Sequence, residues 1–202
     1  MKHQSTRAVF DYWNKKRGVR PAPARAEIDP TEIRAALGDT FMLAADFSNQ
    51  LRLRLAGTRV CALFGREIKS EIFSELFGET SRRSIDELIG VVTHEATGIV
   101  GGLIGETEDG AKTDLELLLL PLAHIGHVRV RAIGVLVPTL PPYWLGAKPV
   151  TALELVTLRH TGVDADTSIV PRIAAAPTGS RVRHGFVVYS GGLEMPSSKG
   201  TG

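Results

Sequence analysis

Residues 98–137 read GIVGGLIGETEDGAKTDLELLLLPLAHIGHVRVRAIGVLV, and few folds accept that run. Asp109-Gly110 is a strong two-residue hairpin signal, and Ile125-Gly126 marks a second turn. The segments between them alternate with the period of a strand. Leu115, Leu117 and Leu119 stand opposite Asp114, Glu116 and Leu118, while Val128, Val130 and Ala132 stand opposite Arg129 and Arg131. Three hairpin-linked strands (98–107, 112–124 and 127–137) form an antiparallel meander, which needs something apolar on at least one face.

Two earlier strands extend it. FMLAADF (41–47) is mostly apolar, and QLRLRLAG (50–57) places Leu51, Leu53 and Leu55 on one side and Arg52 and Arg54 on the other. The short Ser48-Asn49 link makes the pair a hairpin. Helical pieces fall between this hairpin and the meander. Thr58 reads as an N-cap and Gly65 as a stop, which sets Cys61 near the third helical position. From about 80 to 96, Ile85, Leu88, Ile89, Val92 and Ala96 form one apolar stripe. The expected fold is α+β: a five-stranded antiparallel sheet with helices on one face and the other face wet or paired with something polar.

The flanks look simpler. Residues 6–17 suit a helix with Val9, Phe10 and Trp13 on one side, ended by Lys15-Lys16-Arg17, where cations favour the helix dipole. Residues 18–28 form an irregular connector. In DPTEIRAALG, Asp29 is the expected N-cap, Pro30 the first helical residue, Glu32 the capping-box partner and Gly38 the stop. Beyond Pro138, PTLPPYWLG is a rigid turn and LELVTLR (153–159) one more strand or edge segment. Residues 160–183 read as linker, HGFVVYSGG (184–192) as a short late strand, and the last ten as a disordered tail. The division is 1–40 helical extension, 41–138 core, 139–192 C-terminal extension and 193–202 tail.

The chain of 202 residues carries a net charge of +2 and a single cysteine. That balance demands neither nucleic acid nor an acidic membrane. One cysteine excludes an intramolecular disulfide framework and cysteine-rich metal sites. The longest apolar run, LELLLLPL, is interrupted by Glu116 and Pro121 and falls short of the ~20 residues of a membrane span. The N-terminus lacks an apolar h-region, so a cytoplasmic protein is expected.

The strand-strand-helices-three-strand order and several stretches resemble a family of PAS-domain proteins common in alphaproteobacteria. Those stretches are Tyr12-Trp13, RAEIDP (25–30), LRLRLAGTRVCALFGREI (51–68), LELLLLPL (115–122), PPYWLG (141–146) and GFVVYSGG. The resemblance implies a cytoplasmic sensory or regulatory module, without an attached kinase domain and without an established ligand or catalytic residue. Flavin-binding light sensors of the wider superfamily carry an Asn-Cys-Arg-Phe-Leu-Gln run; here Val60-Cys61-Ala62-Leu63-Phe64-Gly65 lacks its Asn, Arg and Gln. Haem-binding members use a histidine near the helix before the third strand, whereas His94 falls opposite the apolar stripe. No haem or flavin is therefore expected.

Other candidates reduce to structure. His124 and His127 flank a turn with no third metal ligand in the sequence around them. Gly98, Gly101, Gly102 and Gly105 lack phosphate-loop spacing and suit a bulge or a close neighbour. No serine or cysteine carries a nucleophile motif, so no enzyme is expected. Alternation makes Leu53, Leu55, Leu115, Leu117, Val130 and Ala132 the expected lining of an apolar cavity, closed by Cys61, Phe64 and Leu88. The expected function is a sensory module that binds a small apolar ligand there and signals to a protein partner. The alternative is a ligand-free adaptor with a filled core, using Val9, Phe10 and Trp13 or the sheet's outer face to form a homodimer or bind a signalling protein.

Overall fold

The computed structural model describes residues 1–48, 50–123, 130–161, 181–183 and 186–188. Helix α1 spans Gln4–Arg17 and is followed by the 3₁₀ segments Arg25–Glu27 and Pro30–Asp39. Strands β1 (Thr40–Ala45) and β2 (Leu51–Ala56) precede α2 (Thr58–Phe64), a 3₁₀ turn at Phe73–Leu76 and α3 (Glu79–His94). Strands β3 (Gly98–Thr107), β4 (Lys112–Pro121), β5 (Val130–Pro138) and β6 (Val150–Thr161) complete one antiparallel sheet in the order β2-β1-β5-β4-β3-β6. Strands β7 (Arg181–Arg183) and β8 (Phe186–Val188) pair separately. Within the expected late-strand segment 184–192, β8 is what is described, while β7 falls in the segment read as linker. His124, His127, Asn49 and the tail after 188 lie outside the described residues.

The β3–β4 hairpin forms at Asp109-Gly110 as expected, while the Ile125-Gly126 turn lies outside the described residues. Gly110 takes φ 80° and donates to the Thr107 carbonyl, closing the β3–β4 turn. The sixth strand exceeds the five expected. β6 belongs to the main sheet as its edge strand, paired along β3 from Thr107↔Val150 to Gly98↔Thr161. The glycines of β3 make this fit possible. A Cβ on Gly98 would lie 2.3 Å from Thr161 Oγ1, and one on Gly102 2.5 Å from Thr157 Oγ1.

The inner face is covered, and so is the outer face over β1, β5 and β4, which corrects the expectation of one wet face there; farther out, Glu154 and Arg159 of β6 and Leu55 of β2 stay exposed on the outer side. The inner face joins Phe41, Leu43, Leu117 and Leu119 to α2, α3 and Phe73. The outer face joins Met42, Leu118, Leu120, Ile133 and Val135 to Val9 and Trp13 of α1 and to Ile33. Helix α1 is tied to β4 near both ends. The backbone N–H groups of Lys2 and His3 donate to Glu116 at 2.6 and 3.1 Å, and Trp13 Nε1 donates to the Pro121 carbonyl at 2.7 Å. Val9 and Trp13 are therefore core residues and cannot also present an interface, while Phe10 is partly buried beside Trp13. The basic cluster ends α1 as expected, with Lys16 paired to Glu32 and Arg17 over the Trp13 ring.

Helix boundaries shift for local reasons. Asp29 caps the 30–39 segment by accepting from Thr31 N–H, with Pro30 first, but the segment is 3₁₀ in type and runs past Gly38 to Asp39. Glu32 pairs with Lys16 across to α1. Gly57, not Thr58, is the N-cap of α2, so Cys61 sits one position deeper than expected; Gly65 ends the helix at φ 63°. Helix α3 stops at His94, and Ala96 turns the chain at φ 52° instead of extending the stripe.

Gly57 explains much of the stretch RLAGTRV. A Cβ there would lie 2.2 Å from the Leu37 carbonyl oxygen and 2.4 Å from that of Gly38. Backbone atoms cannot swing aside as a side chain does, so Gly57→Ala is expected to cost at least ~1–3 kcal/mol. Urea denaturation measures this; an unchanged midpoint would show that the 37–38 backbone does not pack against the start of α2.

Candidate functional site

Seven of the nine expected cavity residues converge. Leu53, Cys61, Phe64, Leu88, Leu115, Leu117 and Ala132 all belong to the inner-face core. Their convergence follows from strand alternation on β2, β4 and β5 and from the apolar sides of α2 and α3. The same core holds an aromatic cluster. The Phe41 and Phe73 rings stack at 5.1 Å, and Phe73 meets Phe77 edge-on at 5.5 Å. Gly134 lies beneath the stack, because a Cβ there would sit 2.2 Å from the Phe41 ring.

Leu55 does not join them. β1 pairs Met42 with Leu55 but Leu43 with Leu53, so Arg54 is an extra residue and β2 bulges. The bulge turns Leu55 onto the Met42 side of the sheet, where it is 45% exposed in a cleft of ≈340 Å³ with Ile28, Ile33 and Leu37. A second register shift separates Ala132, opposite Leu43, from Val130, opposite Ala44. Val130's backbone thus pairs with β1, and its side chain lies outside the described residues.

Cys61 is buried, and its Sγ lies 4.0 Å from the Ala56 carbonyl oxygen. No carboxylate or imidazole forms a described hydrogen bond with it, so no general base is in position among the described residues. His94 is exposed at the end of α3, its Nδ1 2.9 Å from the Gly90 carbonyl oxygen. That bond orients the ring along its own helix and away from the inner core. Among the described residues, no three metal-ligating side chains gather.

Composition and alternation gave no hint of a polar junction beside α2. Asp39 is 4% exposed and accepts from Arg59 Nε at 2.5 Å, Arg59 Nη2 at 2.8 Å and Ser5 Oγ at 2.6 Å. Arg59 Nη2 also donates to the Ala35 carbonyl. Gly38 has room for this arginine only because it lacks a side chain, since a Cβ would lie 2.8 Å from Arg59 Cζ. One carboxylate thereby joins α1, the 30–39 segment and α2. The only sequence signal was Gly38-Asp39 ahead of a strand, which reads equally well as a plain helix stop. A cleft of ≈360 Å³ opens beside the junction between Leu63, Leu136, Pro141 and Leu145.

Burial pushes the Asp39 carboxyl up, but the bonds from Arg59 and Ser5 outweigh it and hold the group below its ordinary value. A carboxylate depressed in the folded state contributes stability that is present above the unfolded value and lost as pH falls through the folded one. Wild type should therefore lose stability below about pH 4 more steeply than Asp39→Asn. Denaturation midpoints across that range test this; parallel curves would show that Asp39 is not held ionised by its partners.

Residues 1–137 match the family described as PAS domain. No curated protein matches the chain. Among solved structures, it is similar to the PAS domain of a protein from Colwellia psychrerythraea, at 17% identity over 55% of this chain and 97% of that one, with a TM-score of 0.39. It is also similar to a structure described as a flavin analogue shedding light on the light-oxygen-voltage domain mechanism, at 14% identity over 58% of this chain and 87% of that one, with a TM-score of 0.44. No helix among the described residues is long and apolar enough to cross a membrane.

Proposed function

This chain belongs to the PAS domain family, and from that premise we propose that it is a regulatory module whose output is protein–protein contact and whose inner core is filled by its own side chains. The observation that carries this reading is the Phe41–Phe73–Phe77 aromatic cluster within the inner core. Around it, Leu53, Leu88, Leu115, Leu117 and Ala132 are each 2% exposed or less. Side chains packed to that degree already hold the dispersion contacts that a ligand would have to replace.

The sensor reading, with a small apolar ligand among the same leucines, has its own support. Seven candidate wall residues from five elements converge on one core. For a ligand to enter, one or more of the phenylalanines must swing out. Cys61, with only a backbone carbonyl beside its thiol, acts as a wall residue in either case. We infer no catalytic role for it and no resident haem or flavin. The regulatory partner is another protein that reads the surface of the module.

Native mass spectrometry and an absorption spectrum of the purified chain separate the two readings. A mass equal to that of the polypeptide and no visible band is the expected result. A stoichiometric bound molecule, or a chromophore that leaves on denaturation, would replace the filled-core reading with the sensor reading.

A further inference from the structure

We propose that the cleft between the start of α1, helix α2 and the β5–β6 loop binds a small organic acid. Its apolar body lies against Ala62, Pro141 and Leu145, and its carboxylate accepts from Arg59 Nη1 and His3 Nε2. The first observation is the choice of His3 as the N-cap of α1, where its Nδ1 accepts from the Ser5 N–H at 3.1 Å. Serine, threonine, asparagine and aspartate are the usual residues for that bond, so the cap alone does not call for an imidazole. Because Nδ1 accepts, the proton of the neutral ring lies on Nε2. His3 thus caps the helix with one nitrogen and holds an N–H donor on the other, which has no partner among the described residues.

The second observation is the unspent half of Arg59. Its Nε and Nη2 are engaged by Asp39 and the Ala35 carbonyl, while neither N–H of Nη1 has a partner among the described residues. The arginine is exposed, whereas the Asp39 carboxylate behind it is buried. His3 and Arg59 line the same cleft of ≈360 Å³. Its other polar side chains are committed, since Ser5 Oγ donates to Asp39 and both Asp39 oxygens accept. What the cleft offers a ligand is therefore N–H donors. A carboxylate accepts from all of them through charge-assisted bonds, whereas a neutral amide would turn its own N–H groups toward them.

The third is the apolar wall. Ala62 and Pro141 are exposed and Leu145 is half-buried, so their surface is open to the cleft. The loop that carries Pro141 is held in place. Thr139 N–H donates to the Asp114 carbonyl at 2.8 Å, Leu145 N–H donates to the Pro142 carbonyl at 3.0 Å, and Trp144 is buried in the inner core. A fixed apolar wall with a few convergent donors at one end is the pattern of a small-molecule site, and the volume lies within the usual range of about 300–1,000 Å³. A bound acid would tie the first residues of α1 to α2 and to the loop after β5. The inference stands whether or not the inner core holds a ligand, because the donors and the wall belong to the surface.

Titration of the isotope-labelled full chain with phenylacetate, acetate and phenylacetamide, followed by amide NMR shifts, tests it. Phenylacetate should bind at least about fivefold more tightly than acetate, which lacks the apolar body, and than phenylacetamide, which lacks the charge. The shifts should centre on His3, Ala62 and Leu145. His3→Asn keeps a capping side chain, so its thermal midpoint should match wild type while phenylacetate binding weakens about fivefold or more. Ala62→Leu should weaken it more than about tenfold by filling the cleft. No binding of phenylacetate at millimolar concentration overturns the proposal, as does equal binding of phenylacetamide or either variant binding as wild type does. Shifts centred on Leu53, Leu115 and Leu117 overturn it too, and would favour the sensor reading of the inner core instead.

Discussion

Strand β4 has no solvent-facing side along most of its length, and the rest of the structure follows from that. Leu115, Leu117 and Leu119 face inward, while Leu118 and Leu120 face outward, and all five are 2% exposed or less. A strand buried on both faces must be covered twice. Helices α2 and α3 with Phe73 cover the inner side, and α1 with the 30–39 segment covers the outer. Burying a leucine-sized side chain is worth about 1.5–3 kcal/mol, so neither cover can be dispensable. Glu116, the one charged residue on the outer side of this run, is turned to use. It takes the first backbone N–H groups of the chain and fixes where α1 begins.

The edges are managed as carefully as the faces. On β2, Leu53 exchanges backbone bonds with Ser70 and Glu71, at 2.8 and 2.9 Å. On β6, Gly78 donates to the Leu153 carbonyl and Leu155 donates to Ser81 Oγ. Covered edge positions discourage strand-to-strand association. The Asp39 junction matters because it links α1, which covers the outer face, to α2, which roofs the inner one. Ser5 of α1 and Arg59 of α2 meet on that one carboxylate.

Much of this was legible in the residues, and the failures share a cause. The Asp-Gly turn, the alternation and the helix stripe define the meander and the inner wall, because each depends on near neighbours in sequence. The apolar run Leu117–Leu120 already carried the signature of a doubly buried strand, but it was read as alternation with one face wet. Leu55 was misassigned because a bulge at Arg54 resets the period, and a bulge leaves no mark in a run such as LRLRL. β6 reads as one more strand or an edge segment, and it is the edge strand of the sheet; its partner β3 is not legible, since the two are distant in sequence. The Asp39 junction and the crowding at Gly57 are contacts between segments, so no local pattern announces them.

Native-state hydrogen exchange tests most directly whether α1 is an integral cover and not a detachable arm. If it is integral, the amides of Val9–Trp13 exchange through the same opening as Leu117–Leu120 of β4, with matching free energies and matching responses to denaturant. If the α1 amides exchange orders of magnitude faster while β4 stays protected, the outer face opens on its own. That result would contradict a β4 strand sealed on both sides and return α1 to the list of surfaces free to bind a partner.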